Sequence, residues 1–178
     1  RLPFLELEIH NHFFIKYISE YFGLEFNFSP NEMEQFYWDT IAPAELTLHI
    51  KELLDYLYES NIRTAVISNL SYSIETLSKR INRYLPQNHF EFLITSSEYI
   101  YRKPHPRIFE LALAKADVKA SMAWYCGDNA YCDVTGASKS GLFPVWYTGA
   151  ANYKQDKPSI DHLKINDWKQ LIYILKKL

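Results

Sequence analysis

A chain of 178 residues, 48% hydrophobic and 22% charged, is long enough to bury one substantial core and too apolar to be a disordered tail. Its formal net charge of -2 supplies no broad field for nucleic acid or for an anionic membrane surface, so neither is expected as a partner. No apolar run approaches the roughly 18 residues of a spanning helix, and the first residues lack the charged, apolar, small-residue order of a signal peptide, which makes the cytoplasm the expected setting.

In chain order, residues 10–22 (HNHFFIKYISEYF) place Phe13, Phe14, Tyr17, Ile18, Tyr21 and Phe22 on one helical stripe, and Gly23 follows as a stop. The stripe reads as core between this helix and the main domain. His10 and His12, two apart on a helix, point in different directions and read as surface or interface residues, not metal ligands. In SPNEMEQFYW, Ser29 caps, Pro30 takes the first helical position and Glu32 completes a capping box, so a second helix should run to about Asp39.

The pattern then changes. Ile50, Leu53, Leu54 and Leu57 mark a helix, and the short β-branched run Thr64–Ile67 a buried strand. Ile74, Leu77 and Ile81 mark the next helix, FEFLITS the next strand, and PRIFELALAKA a helix behind Pro104 and Pro106. MAWYC is a third strand, followed by a helix over 131–140, the strand FPVWY and a last helix carrying Trp168, Leu171, Ile172 and Leu175. Residues 149–160 read as a surface connection. Alternation at this spacing implies parallel crossover units, hence an α/β fold with a Rossmann-like parallel sheet flanked by helices over residues 45–178, preceded by a helical segment over 1–44.

Polar residues fall where three of these strands end: Ser68 and Asn69 after TAVI, Lys103 after FEFLI, Asp128 and Asp133 after MAWYC. Ligands of open parallel sheets bind outside the carboxyl ends of the strands. Each residue has a plainer reading: Ser68 as a turn residue, Lys103 as a solvated lysine, Asp128 as the cap of a helix beginning near Ala130 with Asp133 an unrelated surface acid. Taken together, a hydroxyl, an ammonium and two carboxylates on one edge suit phosphoryl transfer, since carboxylates are hard ligands for Mg²⁺ and the other groups can hold phosphoryl oxygens. Cys126 and Cys132 flank the Gly-Asp loop without His neighbours; they make no zinc site, a disulfide is not expected, and Cys126 reads as a buried strand residue. A dinucleotide-binding dehydrogenase is disfavoured, because no Gly-x-Gly-x-x-Gly follows any strand.

The succession VISN, YRKPHPRIFELAL and GDNAYCDVTGASKSGLFPVW resembles motifs two, three and four of the haloacid dehalogenase superfamily, in particular its phosphatase-like branch, over about residues 45–178. The resemblance implies Mg²⁺ as cofactor, a small phosphorylated metabolite as substrate and an aspartyl-phosphate intermediate. Ser68 would hydrogen-bond a phosphoryl oxygen and Asn69 would line the same pocket. Lys103 would neutralise the phosphate, Asp128 would ligate Mg²⁺, and Asp133 would ligate it or orient a metal-bound water. The helices at 10–39 resemble part of the small helical cap of this branch.

The family's first motif, Asp-x-Asp-x-Thr on the central strand, has no counterpart here: before Ser68 the only aspartates are Asp39 and Asp55, and neither belongs to such a pair. The expectation is that the central strand and its nucleophile lie upstream of residue 1. The alternative is a catalytically inactive binding protein or fragment of the same fold. Haloacid dehalogenase, phosphonate-cleaving or phosphomutase chemistry ranks lower. Neither the substrate nor the oligomeric state is legible.

Overall fold

The computed structural model describes residues 6–42, 44–150 and 155–178. Two helices come first, α1 (Asn11–Phe22) and α2 (Pro30–Ile41). Gly23 ends α1 at φ 63°, a left-handed cap that a Cβ would strain, and its N–H donates to Ser19 O. Ser29 and Glu32 form the capping box of α2 in both directions. Helix α3 (Ile50–Glu59) leads into the alternating part: β1 (Val66–Ser68), α4 (Ile74–Tyr84), β2 (Leu93–Thr95), α5 (Ser96–Tyr99), α6 (Pro106–Ala116), β3 (Trp124–Gly127), a π-helical turn (Ala130–Thr135) running into α7 (Gly136–Lys139), β4 (Phe143–Tyr147), β5 (Leu163–Ile165) and α8 (Trp168–Leu175). No helix among the described residues is long and apolar enough to cross a membrane.

All strand pairs are parallel. β1 pairs with β2, and β3, β4 and β5 form a three-stranded sheet in that order. Among the described residues the second edge of β1 and the second edge of β3 carry no strand partner, and β1 and β3 do not pair with each other.

Side chains alternate across the sheet and divide the core. Val145 and Tyr147 of β4 face α3 and α8, where Leu53, Trp168 and Leu171 complete one cluster, and Tyr147 stacks on Trp168 with ring centroids 4.1 Å apart. Trp146, pointing the other way, meets Ala130 and Val134. A second cluster joins Ile94 of β2 to Ile108 and Phe109 of α6 and Ala137 of α7. Phe109 is fully buried, and removing its side chain from water contributes roughly 1.5–3 kcal/mol. Helices on both faces of parallel strands give the α/β architecture read from the alternation.

Three expectations need correction. The aromatic stripe of α1 is not core among the described residues: no α1 residue is buried, and Phe13, Phe14, Tyr17, Tyr21 and Phe22 are 61–69% exposed. Cys126 is exposed, not buried. His10 is not inside α1 but is its extended N-cap, at φ -65° and ψ 134°, so its ring swings back to lie 4.2 Å from that of His12. The helical argument that separated the two rings therefore does not apply. Both cysteines are free thiols. Residues 151–154, within the expected surface connection, lie outside the described residues.

Candidate active site

The end of β3 is shaped by one close approach. A Cβ on Gly127 would stand 2.5 Å from Cβ and Oδ2 of Asp133, so only glycine lets the π-helical turn fold back over the strand end. Asn129 caps that turn: its Oδ1 accepts from the N–H groups of Tyr131 (3.0 Å) and Cys132 (2.7 Å). In return, the Asn129 N–H donates to Asp133 Oδ2 at 2.8 Å. The cap is therefore Asn129, not Asp128, and the reciprocal bonds aim Asp133 inward, where it is 4% exposed.

Asp133 Oδ1 receives the Lys103 ammonium at 2.7 Å. Lys103 Nζ also donates to Tyr125 Oη at 2.7 Å and to the Ile67 carbonyl at 3.1 Å. Its three donors are thereby spent on β1, β3 and the π-helical turn, so that this one side chain bridges two sheets that share no backbone pairing. Tyr125 Oη lies 3.3 Å from Ile67 O and 3.4 Å from Asp133 Oδ1. Burial works against the Lys103 ammonium, but the Tyr125 oxygen and the Asp133 carboxylate outweigh it and hold its pKa above the ordinary lysine value. Burial likewise pushes the Tyr125 phenol upward, so at neutral pH a neutral phenol stands beside the Lys103 ammonium.

Asn69 acts on Lys103 from behind. Its Nδ2 donates to Lys103 O (2.8 Å) and its Oδ1 accepts from Lys103 N–H (2.7 Å), a two-way clasp that fixes the lysine backbone against the end of β1. Asn69 is thus a positioning residue for Lys103. Asn69, Lys103 and Asp133 are joined by direct contacts. The side chain of Ser68, the last residue of β1 and paired with Thr95 in the ladder, and the Asp128 carboxylate, just past β3, make no hydrogen bond or ion pair with them or with another described residue. The Asp128 carbonyl is held by Trp146 Nε1 (3.1 Å) and Gln155 Nε2 (2.8 Å), while Gln155 Oε1 accepts from Ala130 N–H at 2.8 Å. The loop that carries Asp128 is therefore fixed through its backbone, with its acid left uncommitted.

Tyr125 and Gln155 escape a sequence reading. The strand pattern of MAWYC marks Tyr125 as one more apolar residue, and Gln155 acts across 27 positions from a loop without periodicity. Gly127 is more legible, since Gly directly before an acid at a strand end is the usual sign of close backbone approach.

The family model for haloacid dehalogenase-like hydrolases matches residues 13–146. The chain belongs to that family. It is 30% identical over 115 residues to haloacid dehalogenase-like hydrolase domain-containing protein 3 of Mus musculus, covering 65% of this chain and 42% of that protein. It is 30% identical over 112 residues to ribulose-1,5-bisphosphate 5-phosphatase of Halopiger xanaduensis, covering 62% of this chain and 46% of that one. Over a shorter stretch of 69 residues it is 38% identical to glyceraldehyde 3-phosphate phosphatase of Pyrococcus abyssi, 39% of this chain and 29% of that one. The chain thus spans less than half the length of these relatives. Among solved structures, a predicted phosphoglycolate phosphatase from Haemophilus somnus superposes with a TM-score of 0.67 at 19% identity over 90% of this chain and 73% of that one, a likeness of fold.

Proposed function

We propose that this member of the haloacid dehalogenase-like hydrolases carries the phosphate- and metal-binding part of a Mg²⁺-dependent phosphohydrolase that acts on a small phosphorylated metabolite. The observation that carries the reading is the Lys103 ammonium, locked by Asp133, Tyr125 and Ile67 O between the ends of β1 and β3. A cation held at the mouth of two parallel strands presents its positive charge to an incoming phosphate from a fixed position. The phosphatase relatives named above, with phosphoserine phosphatase of Thermus thermophilus at 32% identity over 84 residues, support a small phosphorylated substrate.

In this reading Ser68 Oγ donates to a phosphoryl oxygen, Lys103 neutralises the phosphate charge and Asn69 keeps Lys103 in register. The donor set fits Mg²⁺: Asp128 offers a carboxylate on a backbone-anchored loop with no cation paired to it among the described residues, whereas both oxygens of Asp133 are engaged by Lys103 and Asn129. Asp128 would therefore hold the metal directly, and Asp133 would act through Lys103 and through a metal-bound water. Mg²⁺, when bound, would supply positive charge against the phosphate oxygens. Among the described residues the outer edges of β1 and β3 have no strand partner, which suits a further strand between them. An Asp on that strand, expected upstream of residue 1, is the nucleophile of this proposal: its carboxylate oxygen forms a bond to phosphorus, the alcohol leaves, and water then cleaves the aspartyl phosphate. Residues 1–44 would form part of a helical cap beside this site, and residues 45–178 the core.

Asp128→Asn keeps the shape of the loop and removes the charge. In protein that also carries the nucleophile-bearing strand, it is expected to fold as the wild type does by circular dichroism while losing Mg²⁺-dependent phosphate release by about 100-fold or more, on the scale of removing one electrostatic group from a transition state. Unchanged turnover in that variant would remove Asp128 from the metal site.

A further inference from the structure

Away from the strand ends, Glu34 of α2 is fully buried. One of its oxygens, Oε2, is well held at the start of α4, accepting from Ser73 N–H (3.0 Å), Ser73 Oγ (2.8 Å) and Thr76 Oγ1 (3.2 Å). The other, Oε1, has no hydrogen bond, and neither does the buried Nε2 of His12 that faces it. Buried polar atoms are nearly always satisfied, and a carboxylate oxygen aimed at two imidazoles without a hydrogen bond calls for a cation. His12 Nε2 stands 3.2 Å and His10 Nδ1 3.7 Å from Glu34 Oε1. The three residues each offer a ligand atom within 4.8 Å of the others.

We propose that His10, His12 and Glu34 form a Zn²⁺ site that ties the α1–α2 pair to the start of α4. Bonds of about 2.0–2.1 Å in tetrahedral geometry separate ligand atoms by roughly 3.4 Å, which is close to the two separations above. Two imidazoles and one carboxylate suit Zn²⁺, while Mg²⁺ and Ca²⁺ take oxygen-rich sets. Ser73 and Thr76 orient the carboxylate from behind, as metal sites require of their surroundings. Nδ1 of His10 accepts from His12 N–H at 3.1 Å and so carries a lone pair; ligation exchanges that bond for the metal. The anchor also matters for the neighbouring loop: Ser73 lies five positions after Ser68, and Asn11 N–H donates to Ser71 O at 2.7 Å, so the ion would stiffen the segment that follows β1.

The site is independent of the phosphatase reading, because its test reads binding alone. Metal-stripped protein is titrated with ZnCl₂ by calorimetry in excess Mg²⁺, which keeps the hard-cation position occupied, and with Co²⁺ while the visible absorption of four-coordinate cobalt is followed. The expected result is one Zn²⁺ per chain, a cobalt band, and a melting temperature raised by Zn²⁺. His12→Gln, at a partly exposed position, should fold normally and weaken binding by more than about 10-fold, and Thr76→Val should weaken it by roughly 10-fold through Glu34. Asp128→Asn should leave the titration unchanged. Absence of a one-to-one event in the wild type would overturn the site. Equal affinity in His12→Gln, or loss in Asp128→Asn, would place the ion elsewhere and overturn it as well.

Discussion

Lys103→Met is expected to lower the unfolding free energy by roughly 3–5 kcal/mol, the cost of removing one partner from a buried ion pair. Methionine fills nearly the same space but donates nothing. Asp133, 4% exposed, would keep Asn129 N–H on one oxygen and only the 3.4 Å contact from Tyr125 on the other. The Ile67 carbonyl and the Tyr125 hydroxyl would each lose a donor as well. Against a domain stability of about 5–15 kcal/mol, a loss of this size shifts the urea midpoint far or unfolds the protein at 37 °C. Pairing the change with Asp133→Leu should recover part of the loss, since the orphaned charge goes too. A shift below about 0.5 kcal/mol, the size of an ordinary surface substitution, would mean that the ion pair is solvated and the two sheets are held by other contacts. The sign with pH also follows: raised pKa values for Lys103 and Tyr125 make their contributions complete at neutral pH, and these are lost only in strongly alkaline solution as Lys103 deprotonates.

Gly127→Ala should be nearly as costly, at about 3 kcal/mol, for a steric reason. The new methyl would sit 2.5 Å from Asp133 Cβ and Oδ2. Asp133 cannot step aside, because Lys103 and Asn129 hold it from two directions. Either the π-helical turn lifts off the strand or the ion pair opens, and overpacking of this kind costs 1–3 kcal/mol and sometimes more. Because the displaced residues are those that aim Lys103, phosphate release should fall together with stability. Denaturant unfolding decides the matter: a variant as stable as the wild type would contradict the close packing at the end of β3.

Much of this architecture is legible from local chemistry. Gly23, Ser29 with Pro30, and the His105–Pro106 start of α6 each end or begin an element through backbone effects within four residues. The strands β1 to β4 show as short apolar runs between polar residues, and the site residues show because they follow those runs. What is not legible depends on distance or on context. β5 has three residues and no periodicity to detect. Glu34 looks like any acid on a surface helix until Ser73 and Thr76, some forty positions on, fold against it. Tyr125 reads as core, yet its hydroxyl is the hinge between Lys103 and Asp133. The exposed faces of α1 and of Cys126 were both expected inside, because amphipathic spacing tells which residues share a face and not whether anything covers it.

The central claim is that the Lys103 network and Asp128 serve phosphoryl transfer. It is tested most directly by measuring inorganic phosphate released from a panel of small phosphomonoesters by purified protein that also carries the nucleophile-bearing strand, with Mg²⁺ and with EDTA, alongside Asp128→Asn. The account predicts release that requires Mg²⁺ and collapses in the variant. A folded protein that releases no phosphate from any ester, or that releases it equally in EDTA, would contradict it.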